Sequence, residues 1–312
     1  MQKIISSKTI YKTIIVSLLA GLIIFYLFKT LIDIRDFAEV LKRVDILLLF
    51  STIIVSFSVP VLSAFRWQFV LRLVGHDTSF KQSFSIVMSV WPLSILPGRV
   101  GDFARSYPLR NQIEPMGTAG AVLFEKVIDV ASLLLLSAVG FLFLGHYGYA
   151  VILFLLSTMT IPMLFLTRSV SRFLPQSLSL KLRPIFTHLE FKNLKSKYFL
   201  FSLISSLTNW WVSVLMIWFL YDAFGASLPM TTTAAYFPLA IFIGLIPISI
   251  AGLGTRDSAL IAFFIDKATP AQSLASGIGY FLIGYILFAI IGIPFFIKNF
   301  FSTQHTDSQK AN

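Results

Sequence analysis

A succession of apolar runs, each close to the length of a bilayer crossing, constrains this chain more than anything else in it. They cover about residues 13–31, 46–65, 118–144, 149–166, 198–220 and 274–297. About 20 apolar residues of helix cross a hydrocarbon core. A helix also satisfies its own backbone polar groups, which lipid cannot do. An all-α polytopic membrane protein follows. Composition agrees: 56% of residues are hydrophobic and 12% charged, about half the charged fraction of an ordinary soluble domain.

Two further apolar stretches do not fit the pattern. Residues 81–96 run into Pro92-Leu-Ser-Ile-Leu-Pro-Gly-Arg-Val-Gly-Asp-Phe-Ala-Arg105, and such a helix reaches only about 24 Å at 1.5 Å per residue. Residues 234–251 break at Gly252-Leu-Gly-Thr-Arg-Asp257 and resume to about 265. Arg or Asp at the centre of a lipid-facing helix costs roughly 2.5–3.5 kcal/mol. The charges at these breaks therefore lie at the membrane surface or in a protein-lined cavity, and broken backbone at depth is tolerated only in the cavity.

Charge placement separates the topologies. Treating both broken stretches as re-entrant, with a cytoplasmic N-terminus, puts roughly nineteen of the 25 Lys and Arg on the cytoplasmic side and about six outside. Treating them as full crossings puts the basic segment 167–197 outside. The expectation is six full transmembrane helices plus two re-entrant broken hairpins in an inverted repeat, forming one transmembrane domain over residues 1–312. Its halves cover about 1–146 and 147–300, with a polar tail at 301–312. Each half has two spans, a broken stretch and a further span, and Pro92-Leu-Ser-Ile95 matches Pro247-Ile-Ser-Ile250. The first run is too long for a signal-peptide core and reads as a retained span. Phe37 to Asp45 forms a mixed-charge linker with a helical look, and Arg66 and Trp67 read as an interface anchor closing the 46–65 span.

Interrupted segments at matching positions of two halves point to a transport site. A helix resuming near Gly101-Asp102, or near Thr255-Arg256 with Thr255 as N-cap, presents free N–H groups and a positive dipole end. With Arg99, Arg105 and Arg256 these ends would form an anion site suited to phosphate. Asp102 and Arg105, three apart, can pair. Glu125 and Asp129, four apart, can neutralise an arginine that lacks a ligand, or carry protons. The same charges would also serve as a salt-bridge network holding two hairpins together. Asn209, Trp210 and Trp211 sit mid-span, where helix packing is favoured over a ligand role.

Pro97-Gly-Arg-Val-Gly-Asp-Phe-Ala-Arg105, Glu125-Lys-Val-Ile-Asp129 and Gly252-Leu-Gly-Thr-Arg-Asp257, in this order, resemble the lysylphosphatidylglycerol synthase transmembrane-region family. This family is also called flippase-like, and it includes the membrane half of bacterial multiple peptide resistance factors. The resemblance covers nearly the whole chain and implies handling of phospholipids or polyprenyl-linked lipids. It carries over onto Gly98, Arg99, Gly101, Asp102, Arg105, Glu125, Asp129, Gly252, Gly254, Arg256 and Asp257 as substrate-binding positions. Bifunctional members carry a soluble aminoacyl-transferase domain, which has no counterpart before Asn312, so no lysyl transfer is expected.

The resulting expectation is a lipid translocase of the cytoplasmic (inner) membrane, acting on an anionic phospholipid or a polyprenyl-phosphate-linked lipid. The rivals are a membrane transferase with Asp102, Glu125 or Asp257 as base, and a non-catalytic membrane subunit. Short outer loops count against the transferase. The partners expected are membrane lipids, with room for a homodimer or a separate lipid-modifying enzyme. No cofactor or metal is expected: cysteine is absent, and His76, His146, His188 and His305 are isolated. The net charge of +11 fits topology and contact with anionic headgroups rather than nucleic acid.

Overall fold

The computed structural model describes residues 33–95, 97–170, 196–246 and 252–309, with side chains at 95–100, 163–170 and from 302 onward outside that description. The predicted first span at 13–31 and most of the basic segment at 167–197 lie outside the described residues.

Among the described residues every regular element is helical. In chain order these are α1 (Ile34–Lys42), α2 (Ile46–Ser56), α3 (Ser58–Leu73) and α4 (Phe80–Val90). Two 3-10 segments follow, Trp91–Ile95 and Pro97–Arg105, then α5 (Ser106–Leu109), α6 (Pro115–Phe143) and α7 (Tyr147–Val170). The chain continues through α8 (Lys197–Ala223), α9 (Met230–Gly244), α10 (Thr255–Phe263) and α11 (Pro270–Phe281). A π turn at Leu282–Ile286 leads into α12 (Leu287–Gln309).

Four of these stretches are long and apolar enough to cross a membrane: Ile46–Leu73, Pro115–Phe143, Lys197–Ala223 and Pro270–Phe301. The chain is a multi-pass membrane protein. α4, with 11 residues, rises only about 16 Å and cannot cross. Its extension stops at Pro92, which lacks an N–H and cannot continue the ladder.

Local chemistry sets the boundaries. Asp45 accepts from the N–H groups of Leu47 and Leu48 (2.9 and 3.2 Å) and starts α2. Thr269 and Gln272 cap each other's backbone at the start of α11 (3.2 and 2.9 Å), a reciprocal box that satisfies two otherwise orphaned donors. Gly75, Gly145 and Gly225 end α3, α6 and α8 in the left-handed region, with φ of 92, 78 and 77°, where a side chain would be strained.

Two large apolar clusters form most of the core. Trp67, Leu71, Ile86, Leu109, Phe124 and Ile128 gather α3 to α6; Leu220, Tyr221, Phe237, Leu260, Phe264 and Tyr280 gather α8 to α11. Contacts between helices distant in the chain join the clusters: α3 lies along α8, α9 along α6, and α4 along α12. Lipid supplies no hydrophobic drive between helices, so these contacts depend on close packing and buried polar pairs. At Gly140 of α6 an added Cβ would stand 2.6 Å from Ala235 Cα, and at Gly292 of α12 it would stand 2.5 Å from the Met88 carbonyl oxygen. Ser137 also donates across the α6–α9 contact to Ala235 O (2.6 Å).

The sequence placed Arg66 and Trp67 at a membrane interface. The structure corrects this: the helix continues to Leu73, and the two side chains are 4% and 0% exposed. Carboxylates on a facing helix hold the arginine there.

Candidate functional site

Six charged side chains from three segments, α3, the second 3-10 segment and α6, meet in one buried cluster. Arg66 of α3 donates from Nε and Nη2 to Glu125 Oε1 (3.1 and 2.7 Å) and from Nη1 to Asp129 Oδ1 (2.6 Å). Arg105, at the end of the second 3-10 segment, donates from Nη1 to Glu125 Oε2. Its Nη2 lies 3.4 Å from Asp102 Oδ1. Lys126 reaches Asp102 Oδ2 at 2.5 Å and Asp129 Oδ2 at 3.9 Å. Ser206 and Trp210 of α8 also donate to Asp129 Oδ1, both at 2.9 Å. Glu125 is fully buried and joins α3 to the broken segment through two guanidinium groups.

The charges cancel: Arg66, Arg105 and Lys126 against Asp102, Glu125 and Asp129. An isolated buried ion costs several kcal/mol even after relaxation, on the order of its pairing gain, so this balance allows the cluster to exist at depth. The Arg105 guanidinium also lies over the Trp67 ring, 4.7 Å from its centroid, a contact worth roughly 0.5–2 kcal/mol.

The cluster borders a cavity of about 90 Å³, several times the roughly 10–15 Å³ that one water needs. Arg66, Asp102, Arg105 and Lys126 form its charged wall, with Asn209 and Trp210 from α8. Trp91 and Ser94 of the first break, and Tyr280, Gly284 and Tyr285 around the π turn, close the opposite side. Two polar atoms in this lining, Arg105 Nε and Asn209 Oδ1, are buried with no hydrogen-bond partner among the described residues.

The second break builds a separate centre. Arg256 is 1% exposed and donates from Nε and Nη2 to Asp257 Oδ1 (2.9 and 2.6 Å), and from Nη2 to Gly277 O (2.8 Å). Its guanidinium lies 5.1 Å from the Tyr280 ring centroid. Asp257 Oδ2 accepts the N–H of Gly254 (3.0 Å). The N-cap of α10 is therefore Gly254 at φ 97°, not Thr255, because only glycine adopts that angle without strain. The helix-end donor predicted for an anion is occupied by the chain's own carboxylate.

Of the predicted positions, Asp102, Arg105, Glu125 and Asp129 come together in one cluster, while Arg256 and Asp257 form another. Arg256 does not line the cavity; Tyr280, which it stacks on, does. Gly98 and Arg99 fall in the second 3-10 segment, and the Arg99 side chain lies outside the described part. No α-helix resumes at Gly101-Asp102 as predicted. The 3-10 form persists to Arg105, and the following α5 has only four residues. Gly101 permits close approach of the two 3-10 segments, since a Cβ there would stand 2.5 Å from the Leu93 carbonyl carbon. Gly252 (φ 80°) and Gly254 are turn positions.

Sequence reasoning missed Arg66 as a member, left Lys126, inside the Glu125–Asp129 motif, out of the site positions, and ranked packing above a ligand role for Asn209 and Trp210. The available signal was Asn, Trp and repeated Ser in the middle of an otherwise apolar span. Trp211 is 39% exposed and takes no part in the cavity lining.

The model of the lysylphosphatidylglycerol synthase transmembrane region matches residues 14–292. UPF0104 membrane protein MJ1595 of Methanocaldococcus jannaschii is 23% identical over 267 residues, covering 75% of this chain and 79% of that protein. A UPF0104 membrane protein of Methanothermobacter thermautotrophicus is 30% identical over 91 residues, 28% of this chain and 27% of that one.

Proposed function

Starting from a chain that belongs to the lysylphosphatidylglycerol synthase transmembrane-region family, we propose that it translocates a lipid with an anionic phosphate headgroup across the cytoplasmic membrane. The observation that carries this is the cavity between the halves, walled by a neutral ionic cluster and by a broken membrane segment. Arg105 is the donor assigned to the phosphate. It lines the cavity, its Nε has no partner among the described residues, and its 3.4 Å contact with Asp102 is the longest of the close ionic contacts that hold it. A phosphate oxygen replaces Asp102 there, and Lys126 keeps Asp102 paired. The acyl chains remain in the bilayer.

Alternating access in this scheme comes from an inverted repeat, with the N-terminus cytoplasmic. Several features support the repeat. The connections Leu73–Phe80 and Ala223–Met230 have the same length, each with a positive-φ glycine two residues in. α6 and α11 both open on a proline. Glu125 lies ten residues after Pro115 and holds Arg105; Tyr280 lies ten residues after Pro270 and stacks on Arg256. A two-fold exchange of the halves maps the α4–α12 contact onto the α9–α6 contact and the α3–α8 contact onto itself, as in rocking-bundle transporters.

The test is exchange in proteoliposomes carrying a trace of fluorescent anionic phospholipid, read with an impermeant quencher. The wild type is expected to accelerate exchange over protein-free liposomes. Arg105→Gln should lose about tenfold or more of the excess rate, since a hydrogen bond to a charged group contributes roughly 1.5–3 kcal/mol. A wild type no faster than empty liposomes overturns the proposal.

A further inference from the structure

The face where α4 meets α12 carries a second polar feature, outside the ionic cluster. At the start of α4 and the middle of α12, near the end of the Pro270–Phe301 span, a groove of about 500 Å³ opens between the two helices. Lys81 and Lys298 are both exposed at it, and its lining contains no carboxylate. Phe84, Ile86, Pro108 and Phe295 form its apolar wall, with the rings of Phe84 and Phe295 edge to face at 5.9 Å. Two cations above an apolar floor at the end of a membrane helix match an amphiphile with a negative head.

The same two elements lead inward to the cavity. Asn299 donates to Ser85 O and Oγ (both 3.0 Å) beside the groove. Met88 meets Gly292 further in, and Trp91 Nε1 donates to Gly284 O (3.2 Å) at the cavity wall. The backbone along this seam is irregular on both sides: Pro92 ends α4, and α12 carries Pro294 and is preceded by the π turn at Leu282–Ile286. Interruptions of this kind are where helices bend.

We propose that this groove is a docking site for an anionic lipid headgroup, with the phosphate between Lys81 and Lys298, and that it feeds the cavity along the α4–α12 seam. The feeding role rests on the translocation proposal; the docking role does not.

The experiment compares the wild type with Lys81→Gln/Lys298→Gln. Both lysines are exposed and outside the ionic cluster, so folding should be unaffected. Native mass spectrometry of the purified protein with added phosphatidylglycerol or phosphatidylcholine reads retention. Phosphatidylglycerol retention should fall about tenfold or more in the double variant, with phosphatidylcholine unchanged. In proteoliposomes, phosphatidylglycerol exchange should slow in parallel. Equal phosphatidylglycerol retention overturns the site. A lysine-dependent dimer in place of retained lipid also overturns it, in favour of a second copy of this chain. Retention lost with exchange intact removes the feeding role. A wild type without exchange sinks the translocation proposal, while retention still decides the groove.

Discussion

Replacing Arg66 with methionine isolates what the ionic cluster contributes. Arg66 makes three hydrogen bonds to two carboxylates, and its loss leaves three carboxylates facing two cations. Removing one partner from a buried pair costs about 3–5 kcal/mol. The cost should sit at the lower end because the Lys126 side chain is 24% exposed and admits some water to the edge of the cluster. Asp129→Asn removes the opposite charge and leaves an oxygen for Ser206 and Trp210. The double variant restores two cations against two anions, so it should be more stable than the sum of the two single losses, by about 2 kcal/mol within the range for groups in contact. Equilibrium unfolding in mixed detergent micelles, followed by fluorescence of the 5 tryptophans, measures all four corners of the cycle. Additivity to within about 0.5 kcal/mol would refute the idea that charge balance holds the cluster together.

Two close approaches at glycine give sharper steric predictions. At Gly277 a Cβ would stand 2.9 Å from Asp257 Cγ, so Gly277→Ala should displace Asp257 and loosen Arg256. The expected loss is about 1–3 kcal/mol in the same unfolding assay, and an unchanged midpoint would count against this packing. Gly140→Ala drives a methyl into the α9 backbone at Ala235, which cannot turn aside as a side chain can. It should cost more than Gly148→Ala, where nothing lies within 4 Å, and equal losses would contradict the α6–α9 contact.

The sequence and the structure agree where spacing along one helix carries the information. Asp102 with Arg105, and Glu125 with Asp129, share a helical face whatever the tertiary fold, and immersion in apolar sequence forces them to find partners. Arg66 was invisible in this way because its carboxylates lie 59 and 63 residues away. At the end of an apolar run, an Arg-Trp pair has the same local signature as a membrane-surface anchor, and only the continuation to Leu73 tells them apart. The second break was misjudged for a different reason. Adjacent residues do not share a helix face, yet Asp257 folds back over the first turn of α10 and meets both the Gly254 N–H and Arg256. The runs at 46–65, 118–144, 198–220 and 274–297 needed no tertiary information, because their length alone commits them to the bilayer.

The contact of α4 with α12 bears on how the chain is made. Ser85 rests against Asn299, 214 residues later in the sequence. At about 5–20 residues per second of synthesis, α4 waits on the order of ten to forty seconds for its permanent neighbour. During that interval a short helix, unable to reach the far side of the membrane, has its polar end and its uncovered flank in a half-built bundle. Until the last helix arrives, α4 rests, among the described residues, on α3 and the 3-10 segments, so the order of synthesis leaves that flank to be covered last.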